Sequence, residues 1–418
     1  MAEPLKVAIW GNADEGPCSY YRGYQYFDVL REQYNIEVRN IERLDFQVAF
    51  DFVGSYDEAV KAGAIELDVS PIEWADVVMF RRYYNTAIKC GLYKSPEDPG
   101  CGLVTHDAEE AAAHPHGYHR QDDITRLLWP MFRDHWTGGI VYETDDDHWR
   151  IRPWNGYYPD VIAERDLIRD MTARADIVTV ATPALIENYG RYNRNVRVVR
   201  NAIDPLLYVA DQPRTDDSTR LVYYGSTARL RDYAGRYITG NKADGGGYAY
   251  EAVQAQRSKL TTVFVGTNEG SEEVVYKFFD ESVPYTRGIA AFAKTLSNVH
   301  GDIGIAPLGG DDFDRCKSEL HWLEYAITGM AFVGHKFNGN GPYSVVRDGV
   351  DGLLARGSQE WHDAIKRLAA SPQLRADLAG AAKERVLAEY DFRTRAEEWS
   401  RVFRYAAEHA RGALPQAA

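Results

Sequence analysis

The chain has 418 residues, of which 45% are hydrophobic, and a formal net charge of −14 at pH 7. This length is too great for one compact core and predicts two domains. The acidic balance argues against general binding to nucleic acid or to anionic membranes, because phosphate groups are held mainly by Lys and Arg. The four cysteines are scattered without a CxxC pair, so neither a disulfide framework nor a cysteine zinc site is indicated.

The first apolar run, KVAIWG, is shorter than the apolar core of a signal peptide and ends in glycine, as a first strand does. No stretch of the sequence approaches the roughly 20 apolar residues that a membrane span requires. We therefore expect a cytoplasmic protein without a transmembrane segment. The sequence does not indicate an oligomeric state.

Short β-type runs alternate with amphipathic stretches, which predicts parallel sheets covered by helices on both faces. The alternation occurs in two series. The first series is KVAIWG, NIEVRNI, ADVVMFR, GGIVYET, ADIVTVAT and VRVVRNAID, and the second is RLVYYGS, TTVFVG, GDIGIAPL, AFVGH and DGLLA. The predicted fold class is α/β, with two Rossmann-like, doubly wound domains that face a central cleft.

A stretch rich in Pro, Asp, Thr and Ser interrupts the periodicity near residue 210 and is typical of an interdomain linker. We place a first domain at residues 1–210, a second domain at 211–388, and a C-terminal helix at 389–418 that packs back on the first domain. The pattern after residue 356 is almost wholly helical. Ligands of open α/β sheets lie beyond the carboxyl ends of the strands, so functional residues are expected in the cleft.

The clearest candidate site lies in DRCKSELHWLEYAITGMAFVGH, residues 314–335. A helix beginning near Arg315 would place Lys317 and Glu324 on one face, two turns apart. A lysine at a helix N-terminus attracts a diphosphate, and a carboxylate two turns further on accepts hydrogen bonds from vicinal ribose hydroxyls. The pattern predicts a nucleotide-diphosphate site. The alternative is a solvated charge pair on a surface helix.

Several motifs of the chain resemble the nucleotide-sugar half of GT-B glycosyltransferases of the large GT4-like group. The resemblance runs discontinuously from about residue 140 to 355, through ADIVTVATPALIENYG, VRVVRNAID, LVYYGSTARLRD, KSELHWLEYAITGMAFVGH, GPY and VRDGVDGLLA. It implies transfer of a sugar, of the hexosyl type, from a nucleotide-diphosphate donor with retention at the anomeric carbon. No metal and no other cofactor is implied. The acceptor stays open between a glycan, a lipid-linked molecule, a protein and a small molecule.

Glu324 matches the second glutamate of the E-x7-E motif of that group, which implies a contact with the donor ribose. The first glutamate would fall at Cys316 and is absent. Lys317 and Ser318 instead match a KS pair of some branches, which implies that they contact the phosphates or the sugar of the donor. This departure leaves the identity of the transferred sugar open.

Two further segments of the second half are candidates for donor binding. Gly225 and Ser226 end a predicted strand, with Arg229 close behind, and glycine lets a backbone approach phosphate oxygens that an arginine fork binds. The alternative is a tight turn with surface arginines. Val283 and Tyr285 stand where the resemblance implies a loop over the base, but they would suit the core equally well.

The first half offers weaker candidates. The loop after the first strand contains Gly16 and, further on, Arg22, but it fails both the P-loop and the GxGxxG patterns, so a dinucleotide oxidoreductase is not indicated. The resemblance implies that both residues face donor phosphates or the acceptor. An ordinary strand-to-helix turn is the alternative.

Three consecutive aspartates, Asp145, Asp146 and Asp147, follow the run GGIVYET. As Asp-x-Asp they would suit the Mn²⁺ or Mg²⁺ site of a metal-dependent GT-A transferase. Because the chain has two strand series, we interpret Asp145 and Asp146 as metal-free cleft carboxylates that orient an acceptor hydroxyl or hold the following loop, HWRIRPWN. The histidines of HDAEEAAAHPHGYH, residues 106–119, match no standard zinc spacing and are interpreted as a polar loop or as a wall of an acceptor-side pocket.

The sequence thus predicts a metal-independent glycosyltransferase with Lys317, Arg229, Asp145 and Asp146 as catalytic residues. Lys317 and Arg229 would neutralise the leaving diphosphate. Three alternatives stay open. They are a GT-B-fold nucleotide-sugar epimerase, a catalytically weakened sugar- or nucleotide-binding subunit, motivated by Cys316, and a metal-dependent GT-A enzyme.

Overall fold

The structure is a computed structural model. It describes residues 3–10, 17–41, 45–48, 65–68, 72–81, 136–155, 158–163, 165–240 and 247–410. Within these residues the chain forms two α/β domains, each built on a six-stranded parallel sheet. The predicted fold class is confirmed.

The strands of the first domain include a separate antiparallel pair, β3 and β4, and several of the others are separated by described helices. They are β1 (Leu5–Trp10), β2 (Ile36–Ile41), β3 (Asp45–Val48), β4 (Ile65–Asp68), β5 (Val77–Arg81), β6 (Gly139–Thr144), β7 (Ile177–Val180) and β8 (Val196–Val198). Those of the second domain are β9 (Arg220–Tyr224), β10 (Thr261–Thr267), β11 (Glu281–Pro284), β12 (Ile303–Ala306), β13 (Ala331–His335) and β14 (Leu353–Ala355).

The described helices are short in both domains and longest at the C-terminus. Those before β9 are α1 (Pro17–Arg22), α2 (Phe27–Tyr34), α3 (Tyr158–Ala163), α4 (Arg165–Arg174) and α5 (Pro183–Tyr189). Those after it are α6 (Leu230–Ala234), α7 (Arg236–Thr239), α8 (Tyr248–Gln254), α9 (Glu272–Tyr276), α10 (Ile289–Asn298), α11 (Asp312–Arg315), α12 (Leu320–Ile327), α13 (Gly357–Ala370), α14 (Pro372–Glu389) and α15 (Phe392–Ala410). None of these helices is both long and apolar enough to span a bilayer.

The two sheets differ in strand order. The first runs β2-β1-β5-β6-β7-β8 and the second runs β11-β10-β9-β12-β13-β14. Every run predicted as a strand forms one, because buried parallel strands are near-continuous apolar runs, as in β6 and β7, whose residues are all buried. β11 was not predicted as a strand. It lies at a sheet edge with its residues half-buried or exposed, so its apolar signal is weak.

The C-terminal helix belongs to the core of the first domain. Phe392, Trp399 and Phe403 of α15 pack with residues of β1, β5 and β6 in one buried cluster. The approach is close, since a Cβ on Gly139 of β6 would lie 2.5 Å from the backbone oxygen of Ala406. The chain therefore passes twice between the domains, once before β9 and once before α15.

Candidate active site

A cavity of about 270 Å³ lies between the two domains. Most of its wall comes from the second domain, at the carboxyl ends of β9, β10 and β11 with Leu308 after β12, and Tyr21, Asp145 and Asp146 of the first domain form the opposite side. In the sheet β9 lies between β10 and β12, so the strand order reverses at β9. The cavity therefore sits at the point of reversal. Open α/β sheets bind their ligands at such a point.

The turn after β9 brings three predicted residues, Gly225, Ser226 and Arg229, to this wall. Gly225 has φ +147°, and a Cβ there would lie 2.9 Å from Cγ of Arg229. Only glycine therefore allows the backbone to fold closely against the arginine stem. The Arg229 guanidinium donates to Asp232 at 3.3 Å, and its backbone oxygen accepts from the Tyr223 hydroxyl at 2.8 Å.

Lys317 and Ser318 also line the cavity, but the single helix predicted around them is wrong. The helix α11 ends at Arg315 and α12 begins at Leu320, so both residues lie in the connection between them. α11 ends there because the backbone N–H groups of Cys316 and Lys317 donate to the backbone oxygens of Phe313 and Asp314, only three residues earlier in the chain. Lys317 therefore precedes the N-terminus of α12, whose first turn faces the cavity, rather than sharing a helix face with Glu324.

The Lys317 ammonium contacts both domains. Its Nζ atom donates to Oδ1 of Asp146 at 2.6 Å and lies 4.1 Å from the ring centroid of Phe313. The connection that carries Lys317 is also tied to the first domain by Thr182, whose hydroxyl donates to the backbone oxygen of Cys316 at 3.2 Å. The cationic group is thus held at the boundary between the two walls.

Glu324 lies in the second turn of α12, one turn after the residues that begin the helix at the cavity. Its side chain is only 3% exposed. Its Oε1 atom accepts from the hydroxyls of Tyr21 at 2.6 Å and Tyr208 at 3.0 Å. Burial raises the pKa of the Glu324 carboxyl to about 7, and the two hydroxyl donors oppose that rise.

The three aspartates do not converge on one point. Asp145 and Asp146 line the cavity, whereas Asp147 is fully buried and accepts hydrogen bonds from Asn188 at 2.6 Å and from the backbone N–H of Trp149 at 3.1 Å. Asp147 therefore holds the loop that follows β6. In the part of the chain that the structure describes, no group of three or more His, Cys, Asp or Glu residues is placed to hold a metal ion.

Some predicted residues lie elsewhere. Arg22 is 1% exposed and points into the first domain, where its Nε donates to Glu143 at 2.7 Å, so it does not face the cavity. Val283 packs against the core of the second domain, whereas Tyr285, 53% exposed, does line the cavity. Gly16 lies outside the described residues.

The histidine-rich segment 106–119 likewise falls outside the described ranges. A different histidine, His321, lines the cavity and was missed. Its ring stacks on that of Tyr224 with centroids 4.3 Å apart, and Nε2 donates to the backbone oxygen of Tyr224 at 3.4 Å. Burial, with Arg229 and Lys317 nearby, lowers the pKa of His321 to about 3, so the ring is neutral at pH 7.

The sequence reading also missed Arg152, which joins the domains beside the cavity. Its guanidinium, carried by the first domain, donates to Asp311 at 2.7 Å, to Asp232 at 3.2 Å and to Asp314. These three partners belong to the second domain. Another interdomain ion pair joins Arg315 to Glu187 at 2.7 Å. No local sequence pattern marks such pairs.

Comparison with known proteins agrees with this architecture. Residues 263–401 match the family model described as "Glycosyl transferase-like", a range that begins in β10 and ends in α15. No curated protein sequence matches the chain at a significant level.

Solved structures match over nearly the whole chain. Sucrose-phosphate synthase from Thermosynechococcus elongatus is similar with a TM-score of 0.60 and 13% identity, over 96% of this chain and 98% of that protein. Anabaena HepE, solved in complex with UDP and glucose, has a TM-score of 0.57 and 14% identity over 96% and 100% of the two chains. The fold is that of the GT-B glycosyltransferases, and the resemblance predicted from the sequence is confirmed.

Proposed function

We propose that the chain is a glycosyltransferase that moves a sugar, of the hexosyl type, from a nucleotide-diphosphate donor to a hydroxyl acceptor. The observation that carries the proposal is the division of charge across the cavity. Lys317 and Arg229 lie on the second-domain wall beside the first turn of α12, and Asp145 and Asp146 lie on the first-domain wall.

The second-domain wall suits a nucleotide diphosphate. In the proposed complex, Lys317, Arg229 and the N-terminus of α12 stabilise the negative charge that builds up on the leaving diphosphate. Gly225 allows the backbone beside Ser226 to approach phosphate oxygens.

The two ends of the nucleotide have separate partners in this proposal. At the phosphate end Ser318, which follows Lys317 in the chain and also lines the cavity, adds a hydroxyl. Glu324 accepts hydrogen bonds from the ribose hydroxyls, and the exposed ring of Tyr285 lies where it can cover the base. Because HepE was solved with UDP and with UDP-glucose, uridine donors come first in the test.

The first-domain wall suits the acceptor. In this proposal Asp145 and Asp146, which line that wall, orient an acceptor hydroxyl and attract its proton as the new glycosidic bond forms. The Lys317 contact of Asp146 must open for this, since a diphosphate competes for the same ammonium. The acceptor is a glycan, a lipid-linked molecule, a protein or a small molecule.

Metal independence and retention are parts of the proposal. Two fixed cations beside the diphosphate take the role that a divalent ion plays in metal-dependent transferases, and Asp147 is turned away from the cavity, which removes one carboxylate of an Asp-x-Asp site. Retention rests on the resemblance to the GT4-like group. The anomeric configuration of the product, determined by NMR, tests it.

The proposal is tested in two steps. A thermal-shift screen over UDP-, GDP-, dTDP- and ADP-sugars should reveal one donor class that raises the melting temperature, because a ligand that binds only the folded state stabilises it. With that donor, nucleoside diphosphate release is then measured against a panel of acceptors, with and without EDTA. We expect acceptor-dependent release that EDTA does not change.

Other results would favour the alternatives. Conversion of the donor to an epimer without any acceptor indicates an epimerase. Donor binding without release across the acceptor panel indicates a binding subunit. Activity that EDTA abolishes and Mn²⁺ or Mg²⁺ restores indicates a metal-dependent enzyme.

A further inference from the structure

The Glu324 carboxylate is enclosed by two tyrosines that come from outside its own helix. Tyr21 belongs to α1 of the first domain, and Tyr208 follows the short 3-10 helix Pro205–Leu207 in the connection between the domains. Both tyrosines are buried, with 1% and 7% exposure. Their hydroxyls also contact each other, so three oxygen atoms from three separate segments meet at one point.

The two tyrosines engage only one side of the carboxylate. Both hydroxyls reach Oε1, and within the described ranges Oε2 accepts no hydrogen bond from the protein. Glu324 nevertheless lines the cavity. A carboxylate oxygen without a partner in a largely buried position is costly unless a ligand or water satisfies it, so Oε2 is the atom available to a bound molecule.

We propose that Tyr21 and Tyr208 are positioning residues for the donor site: they anchor Oε1 of Glu324 so that Oε2 faces the cavity and accepts hydrogen bonds from the vicinal hydroxyls of the donor ribose. This inference rests on the proposed function and adds two residues that no motif indicated. Tyr21 also makes ribose binding depend on the first domain, because its hydroxyl reaches Glu324 only when α1 lies against α12.

The arrangement has a consequence for pH. Burial raises the pKa of the Glu324 carboxyl to about 7, whereas the hydrogen bonds from Tyr21 and Tyr208 lower it. A carboxylate accepts hydrogen bonds from both hydroxyls of a diol better than a carboxylic acid does. The affinity for the nucleotide therefore falls as the pH drops through this pKa. Loss of either tyrosine hydroxyl removes a donor to the ionised form and moves that fall to higher pH.

Other titratable groups near Glu324 come from three elements. Lys317, in the connection before α12, and His321, in the first turn of α12, line the same cavity, as does Tyr343 of the 3-10 helix Pro342–Val345. Tyr325 follows Glu324 in the chain and donates to the backbone oxygens of β9 and β12 rather than to the carboxylate. None of these groups is changed by the substitutions below, so a shifted pH midpoint reports the tyrosine hydroxyls.

The test compares Y21F, Y208F, E324Q and the matching double variants with the wild type, all as full chains. Calorimetric titration with UDP, GDP, dTDP and ADP gives the dissociation constant between pH 6 and 9. We expect Y21F and Y208F each to raise the dissociation constant of the bound nucleotide about tenfold at pH 7.5, with kcat at saturating donor nearly unchanged. The pH midpoint should move upward. In the E324Q background neither substitution should have a further effect.

Tyr20 provides the matched control. It lies next to Tyr21 on α1, and its hydroxyl donates to Asp204 at 3.1 Å, so Y20F removes a tyrosine-to-carboxylate hydrogen bond between the same two segments without touching Glu324. Y20F should keep the wild-type dissociation constant and pH midpoint.

The inference is overturned if Y21F and Y208F bind with wild-type affinity and midpoint, or if their effects persist in E324Q. A wild-type chain that binds none of the four nucleotides overturns the proposed function and this inference with it. Binding by the wild type together with unchanged tyrosine variants overturns only the inference.

Discussion

The two walls of the cavity carry opposite charge. The second domain contributes the ammonium of Lys317 and the guanidinium of Arg229, whereas the first contributes the carboxylates of Asp145 and Asp146. A leaving diphosphate needs positive charge, and a hydroxyl that gives up its proton needs a negative neighbour. The difference between the walls therefore indicates which reactant binds on which side.

The walls also differ in how the chain builds them. In the second sheet the strand order reverses at β9, and the cavity lies directly beyond it. In the first sheet the order reverses at β1, between β2 and β5, yet the carboxylates of the cavity follow β6, one strand further along the sheet. The donor wall is thus at a switch point, and the acceptor wall is displaced from one. The following substitutions test this division.

The largest effect is expected from K317M, which removes the ammonium from the donor wall but keeps a similar length of side chain. Loss of a group that stabilises developing negative charge should lower kcat/KM about 10²–10³-fold. Steady-state kinetics with the donor found by the screen measures this. Lys336, whose Nζ lies 3.6 Å from Asp348 outside the cavity, is the control, and K336M should be unchanged. Equal kinetics for the two variants would remove the case for a cationic donor wall.

The contact between the walls should depend on pH through Asp314. Burial, with Asp232 beside it, raises the pKa of this carboxyl from 3.8 to about 6. A raised pKa means that the folded state favours the protonated form, so the stabilisation is complete below about pH 4 and is lost as the pH rises through 6.

Replacing Asp314 by Asn removes this dependence. The free energy of unfolding of the wild type relative to D314N should fall by about 2–3 kcal/mol between pH 4 and 6.5, which denaturant titrations measure. D311N is the comparison, because the pKa of Asp311 is shifted in the opposite direction. Although burial opposes it, the hydrogen bond from Arg152 lowers the pKa of Asp311, so its contribution is lost below about pH 4. Parallel profiles for wild type and D314N would contradict the assignment.

A smaller effect is expected from G225A on the donor wall. Alanine at φ +147° is strained, and its Cβ would displace the stem of Arg229. Nucleoside diphosphate binding, measured by calorimetry, should weaken about tenfold. Gly240 also has a positive φ, +70°, but a Cβ there meets nothing within 4 Å. G240A should therefore carry only the milder cost of a left-handed residue and keep the affinity; equal losses in both variants would point to general destabilisation.

The smallest expected effect is a gain in nucleotide affinity on changing the acceptor wall, opposite in sign to the losses expected on the donor wall. D146N removes the carboxylate that holds Lys317 at 2.6 Å in the absence of donor. Nucleoside diphosphate should then bind about threefold more tightly, as expected for the loss of one competing, partly exposed ion pair, while acceptor-dependent turnover falls. Calorimetry and the release assay measure the two. Weaker nucleotide binding in D146N would place Asp146 on the donor side.

Much of the donor wall was predictable from the sequence. Gly225, Ser226, Arg229, Lys317 and Glu324 follow or lie near predicted strands of one sheet, and the carboxyl ends of parallel strands meet at the same edge. The motif resemblance added the expected ligand class. The helical spacing of Lys317 and Glu324 predicted that both residues line one site, and both line the cavity. The single helix on which that prediction rested is wrong, because α11 and α12 are separate helices.

The sequence by itself determined the two sheets, every strand of them except the edge strand β11, and the C-terminal helices, because burial of each segment is recorded in its own run of apolar residues. Tertiary structure alone decided that Tyr21 meets Glu324, 303 residues away, that Arg152 joins the domains, and that Arg22 is buried against Glu143. Such contacts depend on how separately folded segments dock against one another. That docking leaves no periodic signal in either segment.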